Sequence, residues 1–135
     1  EAMLEVGASA CTDITGFGLV GHTLELAEAS EVGVRLVGAA LPAYPHTEEM
    51  ADIGLIPEGA YRNRDFYFPR VDGLDGCEPF QRDLLSDPQT SGGLLIAVAM
   101  EKLPLLLQQL KKRQVPAFQV GEIVAGPVGR LRLGQ

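Results

Sequence analysis

Tryptophan is absent from this sequence of 135 residues, and only 6% of the residues are aromatic. A hydrophobic core therefore has to rest on leucine, valine, isoleucine and alanine. No run of about 18 apolar residues occurs, which argues against a membrane-spanning helix. The first residues also lack the charged and then apolar order of a secretory signal. We therefore predict a soluble intracellular protein.

Cysteine and basic residues are also scarce. Cys11 and Cys77 have neither metal-site spacing nor the numbers of a disulfide framework, and we expect inert thiols in a reducing cytoplasm. The formal charge of −7 argues against a nucleic-acid surface, because phosphate backbones need clustered lysine and arginine. The basic cluster at residues 111–113 ends a predicted helix, where cations offset the helix dipole. Nucleic acid and membrane are thus excluded as predicted partners.

The remaining composition is that of an ordinary globular protein. Apolar residues make up 46% of the chain and charged residues 21%, which is too apolar for disorder. A chain of this length can bury about two-thirds of its unfolded surface around one core. We predict a single domain over residues 1–135.

The most informative stretch is residues 11–22, Cys-Thr-Asp-Ile-Thr-Gly-Phe-Gly-Leu-Val-Gly-His, where a short predicted strand meets a helix. Gly16 and Gly18 allow the backbone to come close to another group, and the free N–H groups of the helix attract anions. The carboxylate of Asp13 repels phosphate, but it can hold a divalent cation that phosphates also hold. The stretch therefore indicates a site for a metal together with phosphate.

A second motif follows at residues 87–93, Asp-Pro-Gln-Thr-Ser-Gly-Gly, directly before an apolar run. Its hydroxyls and N–H groups either donate to an anion or form a tight turn into the sheet. Between the two motifs lie residues 59–63, Gly-Ala-Tyr-Arg-Asn. Arg62 and Asn63 are equally interpretable as hydrogen-bond donors to phosphate and as loop staples, that is, residues that hold a loop in place through hydrogen bonds.

Read together, these motifs resemble the C-terminal half of the selenophosphate synthetase (selenide, water dikinase) family, within the aminoimidazole-ribonucleotide-synthetase-like superfamily. The resemblance covers nearly the whole chain. It implies an α+β fold with a mixed β-sheet flanked by helices. It also implies a parent enzyme that converts ATP, selenide and water into selenophosphate, phosphate and AMP, with Mg²⁺ held by the ATP.

The resemblance further implies a division of labour within a longer enzyme. Asp13 is the expected Mg²⁺ ligand, and no catalytic residue is expected in this chain. The Gly-rich segment, the lysine and the reactive cysteine or selenocysteine belong to an N-terminal domain that is not in these 135 residues. That domain is the expected partner and supplies much of a homodimer interface, so the isolated chain is expected to be inactive. The residues expected on the nucleotide side are Thr12, Thr15, Gly16, Gly18, Asn63, Thr90, Ser91 and Gly92.

Several of these residues also have a purely structural interpretation. Asp13 has the residue type for a turn or a cap over the glycines. We expect Thr15 to cap the following helix. His22 is expected to be a structural histidine with its hydrogen bonds satisfied, and His46 is assigned no role.

Hydrophobic periodicity and turn residues predict the elements. Helices are expected at residues 1–8, 17–29, 46–52, 78–85 and 101–114. Strands are expected at residues 10–14, 34–37, 94–100, 118–125 and 130–133. Residues 61–71 are expected to be an edge strand or an ordered loop. The strand over residues 94–100 is expected at the centre of a covered sheet, and the last two strands are expected to form a hairpin with Gly121 as a bulge.

Two other interpretations remain open. The chain could belong to another enzyme of the superfamily, such as a purine-pathway synthetase, thiamine-monophosphate kinase or a hydrogenase-maturation protein. It could also be a noncatalytic binding module that keeps the fold. A Gly-rich segment with cysteine and lysine upstream of residue 1 would favour the enzyme.

Overall fold

The computed structural model describes residues 1–134. No helix in this range is long and apolar enough to cross a bilayer. The helices are α1 (Ala2–Val6), α2 (Gly18–Ala29), α3 (Thr47–Asp52), α4 (Glu58–Tyr67), α5 (Pro79–Ser86) and α6 (Leu103–Lys112). The strands are β1 (Ala10–Asp13), β2 (Gly33–Val37), β3 (Val71–Asp72), β4 (Leu94–Ala97), β5 (Gly121–Val124) and β6 (Leu131–Gly134).

The larger sheet has four strands in the order β3-β6-β2-β5. Strand β2 runs parallel to β6 and antiparallel to β5, so the sheet is mixed, as predicted. Val34 and Leu36 of β2 stand opposite Leu131 and Leu133 of β6, and all four are buried. Their shared face packs on α2, and full burial of such side chains stabilises the fold by roughly 1.5–3 kcal/mol each.

Helix α2 is the central element of the main core. Its apolar stripe repeats at three- and four-residue spacing, as predicted, and Val20, Leu24 and Ala27 are completely buried. Helices α4 and α5 also pack against it. The main core thus joins side chains of the four-stranded sheet, α2, α4 and α5 in one cluster.

A smaller unit holds β1, β4, α1 and α6. Strands β1 and β4 form a two-stranded antiparallel sheet, and Ala2, Val6 and Leu106 make a second apolar cluster beside it. The prediction of a central, covered strand here was wrong. Among the described residues β4 pairs only with β1, and Leu94 is 58% exposed. Helices α1 and α6 cover one face of the two strands. Because β4 is apolar on both of its faces, its other apolar face stays exposed.

The predicted C-terminal hairpin was also wrong, because β5 and β6 lie on opposite sides of β2. The connection between them passes over the start of β2, where Gly33 approaches the backbone of Gly126 and the N–H of Gly129 donates to the carbonyl of Val32 at 3.0 Å. Gly121 is the first residue of β5, paired with Leu36, and is not a bulge.

Residues 61–71 are largely helical, contrary to the expected strand or loop. Helix α4 runs to Tyr67, and a 3₁₀ turn then leads into β3. Ala60, Asn63 and Tyr67 recur at helical spacing and are buried, while Arg62 and Asp65 between them are exposed. The other predicted helices are confirmed to within a few residues, and Gly7 ends α1 with φ of 76°.

Candidate functional site

Asp13 is the last residue of β1 and stands opposite Leu94 of β4. Its side chain is exposed, and neither a hydrogen bond nor an ion pair from residues 1–134 reaches its carboxylate. The buried Ile14 follows it, so Asp13 and Thr15 face away from the core on either side of an inward residue. The carboxylate is therefore free to bind a ligand, and it does not act as the turn-forming cap that was the structural alternative.

The two sequence motifs lie side by side. The N–H of Ile14 donates to the carbonyl of Gly93 at 2.9 Å, which extends the β1–β4 pairing by one residue. The N–H of Gln89 donates to the carbonyl of Thr15 at 3.1 Å. These two backbone bonds hold residues 13–18 and 87–93 together as one surface, here called the two-loop surface.

The glycines of this surface fall into two classes. Gly18 has φ of 69°, and a Cβ there would lie 2.9 Å from the carbonyl oxygen of Leu85. A Cβ on Gly92 would overlap the carbonyl oxygen of Ile14. By contrast, Gly16 and Gly93 have nothing within 4 Å of that position. Close approach within the chain therefore requires glycine at two of these positions and leaves open space at the other two.

Asn63 lies beneath the two-loop surface on α4. Its Nδ2 donates to the carbonyl of Gly16 at 3.0 Å and to the carbonyl of Ser86 at 2.9 Å, and the residue is 7% exposed. This arrangement is the loop staple that the sequence left as one of two alternatives. Arg62, one residue earlier, is exposed and pairs with Glu58 at 2.5 Å.

The threonines have different environments. The Thr12 hydroxyl donates to the carbonyl of Asp13 at 3.3 Å. Thr15 was predicted to cap α2, and this was wrong, because its Oγ1 lies 2.9 Å from Nε2 of His22 and α2 has no side-chain cap. Thr90 and Ser91 are exposed on the second loop. Their predicted contacts with a nucleotide remain predictions.

His22 is structural in the sense expected from the sequence. It is 8% exposed, and its Nδ1 lies 3.1 Å from Oε2 of Glu25, so both ring nitrogens have partners. The ring of Phe17 lies against it, with the centroids 5.4 Å apart. Glu25 was not predicted as a partner of His22, although the three-residue spacing between them on one helix face was a signal for this contact.

Asp87, at the head of the second loop, belongs to the second motif but was not predicted as a residue of the site. Burial raises the pKa of this carboxyl. Its neighbour Ser86 is completely buried and accepts a hydrogen bond from Nε of Arg64 at 3.2 Å, and Arg64 also pairs with Asp83. This buried polar contact fixes the end of α5 from which the second loop starts.

The two cysteines have the character expected of inert thiols. Burial, followed by the negative charge of Asp13, raises the pKa of the Cys11 thiol. Burial also raises the pKa of Cys77. Both thiols therefore stay protonated at neutral pH, and the protonated form is a poor nucleophile.

The oxygen atoms of the two-loop surface fit a Mg²⁺ ion that is bound jointly by the protein and by phosphate. No cluster of three or more histidine, cysteine, aspartate or glutamate residues that could hold a metal ion occurs among residues 1–134, so this part of the chain does not form a complete metal site by itself. Mg²⁺ is commonly bound through one or two carboxylates, with phosphates and water completing its six oxygens. One free carboxylate beside an open loop matches that use.

Comparison with known proteins identifies a family whose sequence pattern this chain matches. Residues 1–134 match the family described as AIR synthase related protein, C-terminal domain. The chain is 51% identical to a selenide, water dikinase from Pelobacter propionicus over 123 residues, covering 90% of this chain and 35% of that protein. It is 46% identical to a selenide, water dikinase from Caldanaerobacter subterraneus over 124 residues, covering 91% of this chain and 36% of that protein. The chain thus spans about a third of the length of these relatives.

Two solved structures share the fold. Thiamine-monophosphate kinase from Stenotrophomonas maltophilia K279a gives a TM-score of 0.56 at 18% identity, covering 93% of this chain and 31% of that one. The protein tt0281 from Thermus thermophilus gives a TM-score of 0.61 at 22% identity, covering 98% of this chain and 33% of that one. These similarities confirm the predicted α+β fold and, at such identities, nothing further.

Proposed function

This chain belongs to the family of AIR synthase related proteins as a C-terminal domain, and from that membership we propose that it is the C-terminal domain of a selenide, water dikinase. The parent enzyme would convert ATP, selenide and water into selenophosphate, phosphate and AMP. The observation that carries the proposal is the 51% identity to a protein of that name over 90% of this chain.

In this proposal the two-loop surface forms one wall of a nucleotide site. Phosphoryl transfer depends mainly on positioning and on cations that neutralise developing charge. Asp13 would hold Mg²⁺, which supplies that positive charge when bound. Thr12, Thr90, Ser91 and the backbone N–H of Gly92 would lie on the phosphate side. The open space at Gly16 would leave room for the ligand to come close to the backbone.

The remaining groups would come from an N-terminal domain of the same protein. We propose that this domain carries the selenium-handling residue and most ATP contacts, that the enzyme is a cytoplasmic homodimer, and that this chain contributes no catalytic residue. Support comes from the share of the relatives' length that this chain leaves uncovered.

The test is a reaction of the complete protein with ATP, selenide and Mg²⁺. We expect equal amounts of AMP and phosphate to form only when selenide is present, together with the ³¹P signal of selenophosphate. Thiamine monophosphate serves as the control substrate for another kinase of this fold. Phosphorylation of that control, or binding of ATP without any turnover, would replace the proposal with another superfamily enzyme or a noncatalytic module.

A further inference from the structure

The side chains of Thr15, His22 and Glu25 form a hydrogen-bonded chain from the two-loop surface to solvent. Thr15 Oγ1 is 2.9 Å from Nε2 of His22, and Nδ1 of His22 is 3.1 Å from Oε2 of Glu25. The imidazole side chain is 10% exposed and the Glu25 side chain 53% exposed. The middle member is thus enclosed, while Thr15 is exposed at the site and Glu25 is exposed on the outer side of α2.

With a neutral imidazole and an ionised carboxylate, the chemistry of the three groups fixes where the hydrogens lie. An ionised carboxylate only accepts hydrogen bonds, so Nδ1 of His22 carries the ring hydrogen and donates it to Glu25. A neutral imidazole has a single ring hydrogen, so Nε2 is an acceptor. The Thr15 hydroxyl must then donate its own hydrogen to Nε2.

This direction decides what Thr15 offers to the two-loop surface. Its only hydrogen points inward to His22, so its oxygen presents lone pairs outward. Thr15 is therefore unable to donate to a phosphate oxygen, the role open to it on residue type alone. It can accept a hydrogen bond from water, or bind a cation directly.

We infer that Glu25 and His22 are positioning residues that make the Thr15 oxygen a second acceptor, beside Asp13, for the divalent cation or for its bound water. Asp13 and Thr15 are both exposed and are separated only by the buried Ile14, so both belong to the first loop of the two-loop surface. The inference rests on the proposed function, because it takes Asp13 as the carboxylate that holds the cation.

The first measurement is the protonation of the His22 ring. The complete protein is labelled with ¹⁵N at histidine and examined in mildly alkaline buffer, and the His22→Gln variant assigns the signals. We expect a protonated Nδ1 and an unprotonated Nε2. A protonated Nε2 would mean that Thr15 is an acceptor for His22, and this result would overturn the inference.

The second measurement is the affinity of the complete protein for Mn²⁺ in the presence of a non-hydrolysable ATP analogue, followed by electron paramagnetic resonance. Thr15→Val keeps the shape and removes the oxygen, and we expect the affinity to fall by about tenfold. Thr15→Ser keeps the oxygen and should restore most of it. Thr47→Val, whose hydroxyl bonds only the Tyr44 carbonyl at 2.7 Å, is the control and should have no effect.

The positioning role has a closely matched control within the chain. His46 and Glu49 form a second pair with the same spacing and the same 3.1 Å distance between Nδ1 and Oε2, and both are well exposed. We expect Glu25→Ala to weaken Mn²⁺ binding and to remove the preference for hydrogen on Nδ1. Glu49→Ala should change neither property.

The outcomes separate this inference from the proposed function. If Asp13→Asn abolishes Mn²⁺ binding while Thr15→Val leaves it unchanged, the inference is wrong and the metal site stands. If Asp13→Asn also leaves binding unchanged, the proposed metal site itself is wrong. If Thr15→Val lowers only the melting temperature, the Thr15–His22 contact is purely structural and the inference fails.

Discussion

At the scale of single residues, the two-loop surface is built around glycines that serve different purposes. Gly18 and Gly92 are needed because carbonyl oxygens of the chain occupy the space a Cβ would take. Gly16 and Gly93 have no such neighbour, and their φ angles are outside the left-handed region. Internal packing therefore explains the first pair and leaves the second pair free for an approaching ligand.

Alanine at Gly92 and Gly93 tests this division. Gly92→Ala should lower the free energy of unfolding by about 1–3 kcal/mol, because the Ile14 carbonyl must move. Gly93→Ala should leave it unchanged or raise it by up to about 1 kcal/mol, because alanine restricts the unfolded chain. Urea unfolding of both variants measures the difference, and equal losses would contradict the steric explanation.

Asp13→Asn tests the proposed metal ligand. In the complete enzyme we expect Mg²⁺ affinity to fall by at least about tenfold, because an amide oxygen carries no full negative charge. The melting temperature should hardly change, because the carboxylate is exposed and makes no hydrogen bond or ion pair within residues 1–134. Unaltered turnover with the same Mg²⁺ dependence would show that Asp13 is not a metal ligand.

Asp87 provides a pH-dependent prediction. Burial raises its pKa in the folded state, so the folded protein binds this proton more tightly than the unfolded chain does. Its contribution to stability is present below the unfolded pKa and is lost as pH rises through the folded pKa. Asp87→Asn cannot ionise, so it should melt slightly higher than the wild type at pH 7. The gain should vanish in acid, and a gain that persists there would contradict this cause.

Residue type and local spacing were enough to predict a structural His22 with satisfied hydrogen bonds and unreactive cysteines. They were not enough for Thr15, since the partner of its hydroxyl lies seven residues further on and becomes a neighbour only after α2 has formed. The same applies to Asn63, whose two carbonyl partners lie 47 and 23 residues away in sequence. Local rules therefore do not describe hydrogen bonds between positions that are distant in the sequence.

At the scale of elements, the errors come from residues whose propensity and tertiary setting disagree. The aromatic residues Phe66, Tyr67 and Phe68 favour a strand, yet α4 continues through Tyr67 because its buried residues share one helical face. The apolar sequence of β4 predicts a central strand, but one face of β4 is exposed. The hairpin prediction failed because a turn between two strands does not exclude a third strand lying between them.

Asn63→Ala tests the importance of α4 as the support of both loops. The change leaves the carbonyls of Gly16 and Ser86 without their donor, and we expect a loss of about 2 kcal/mol in the free energy of unfolding. Arg62→Ala, on the exposed face of the same helix, should cost less than about 1 kcal/mol. Chemical denaturation compares the two, and similar losses would mean that the amide contacts contribute little.

At the scale of the whole molecule, this chain presents apolar side chains that nothing in residues 1–134 covers. The most exposed near the smaller sheet are Leu4, Leu94, Met100 and Leu105. Large apolar side chains that form an exposed patch usually contact another domain or chain. It agrees with a chain that spans about a third of its relatives, while the assignment of residues 1–135 to a single domain remains a prediction.

We expect the 135-residue chain alone to form no AMP from ATP and selenide, because the proposed site takes most of its groups from elsewhere. Chromatography of the nucleotides after prolonged incubation would measure this. The control is the same chain supplied with its N-terminal domain as a separate polypeptide, which should restore some turnover. AMP formation by the chain alone would contradict the proposed division of the site.

The pairing of Asp13 with Leu94 joins positions about 80 residues apart in the sequence. Contacts between such distant positions form slowly, because a long loop must close first. During synthesis, the ribosome has to release β4 before β1 gains its neighbour, and the intervening helices and strands are by then available to fold. The larger sheet closes longer loops still, because β2 pairs with β5 and β6 across about 90 and about 97 residues, and these two strands leave the ribosome after β4. The edge that carries Asp13 should consequently acquire protection from hydrogen exchange before the centre of the larger sheet is complete.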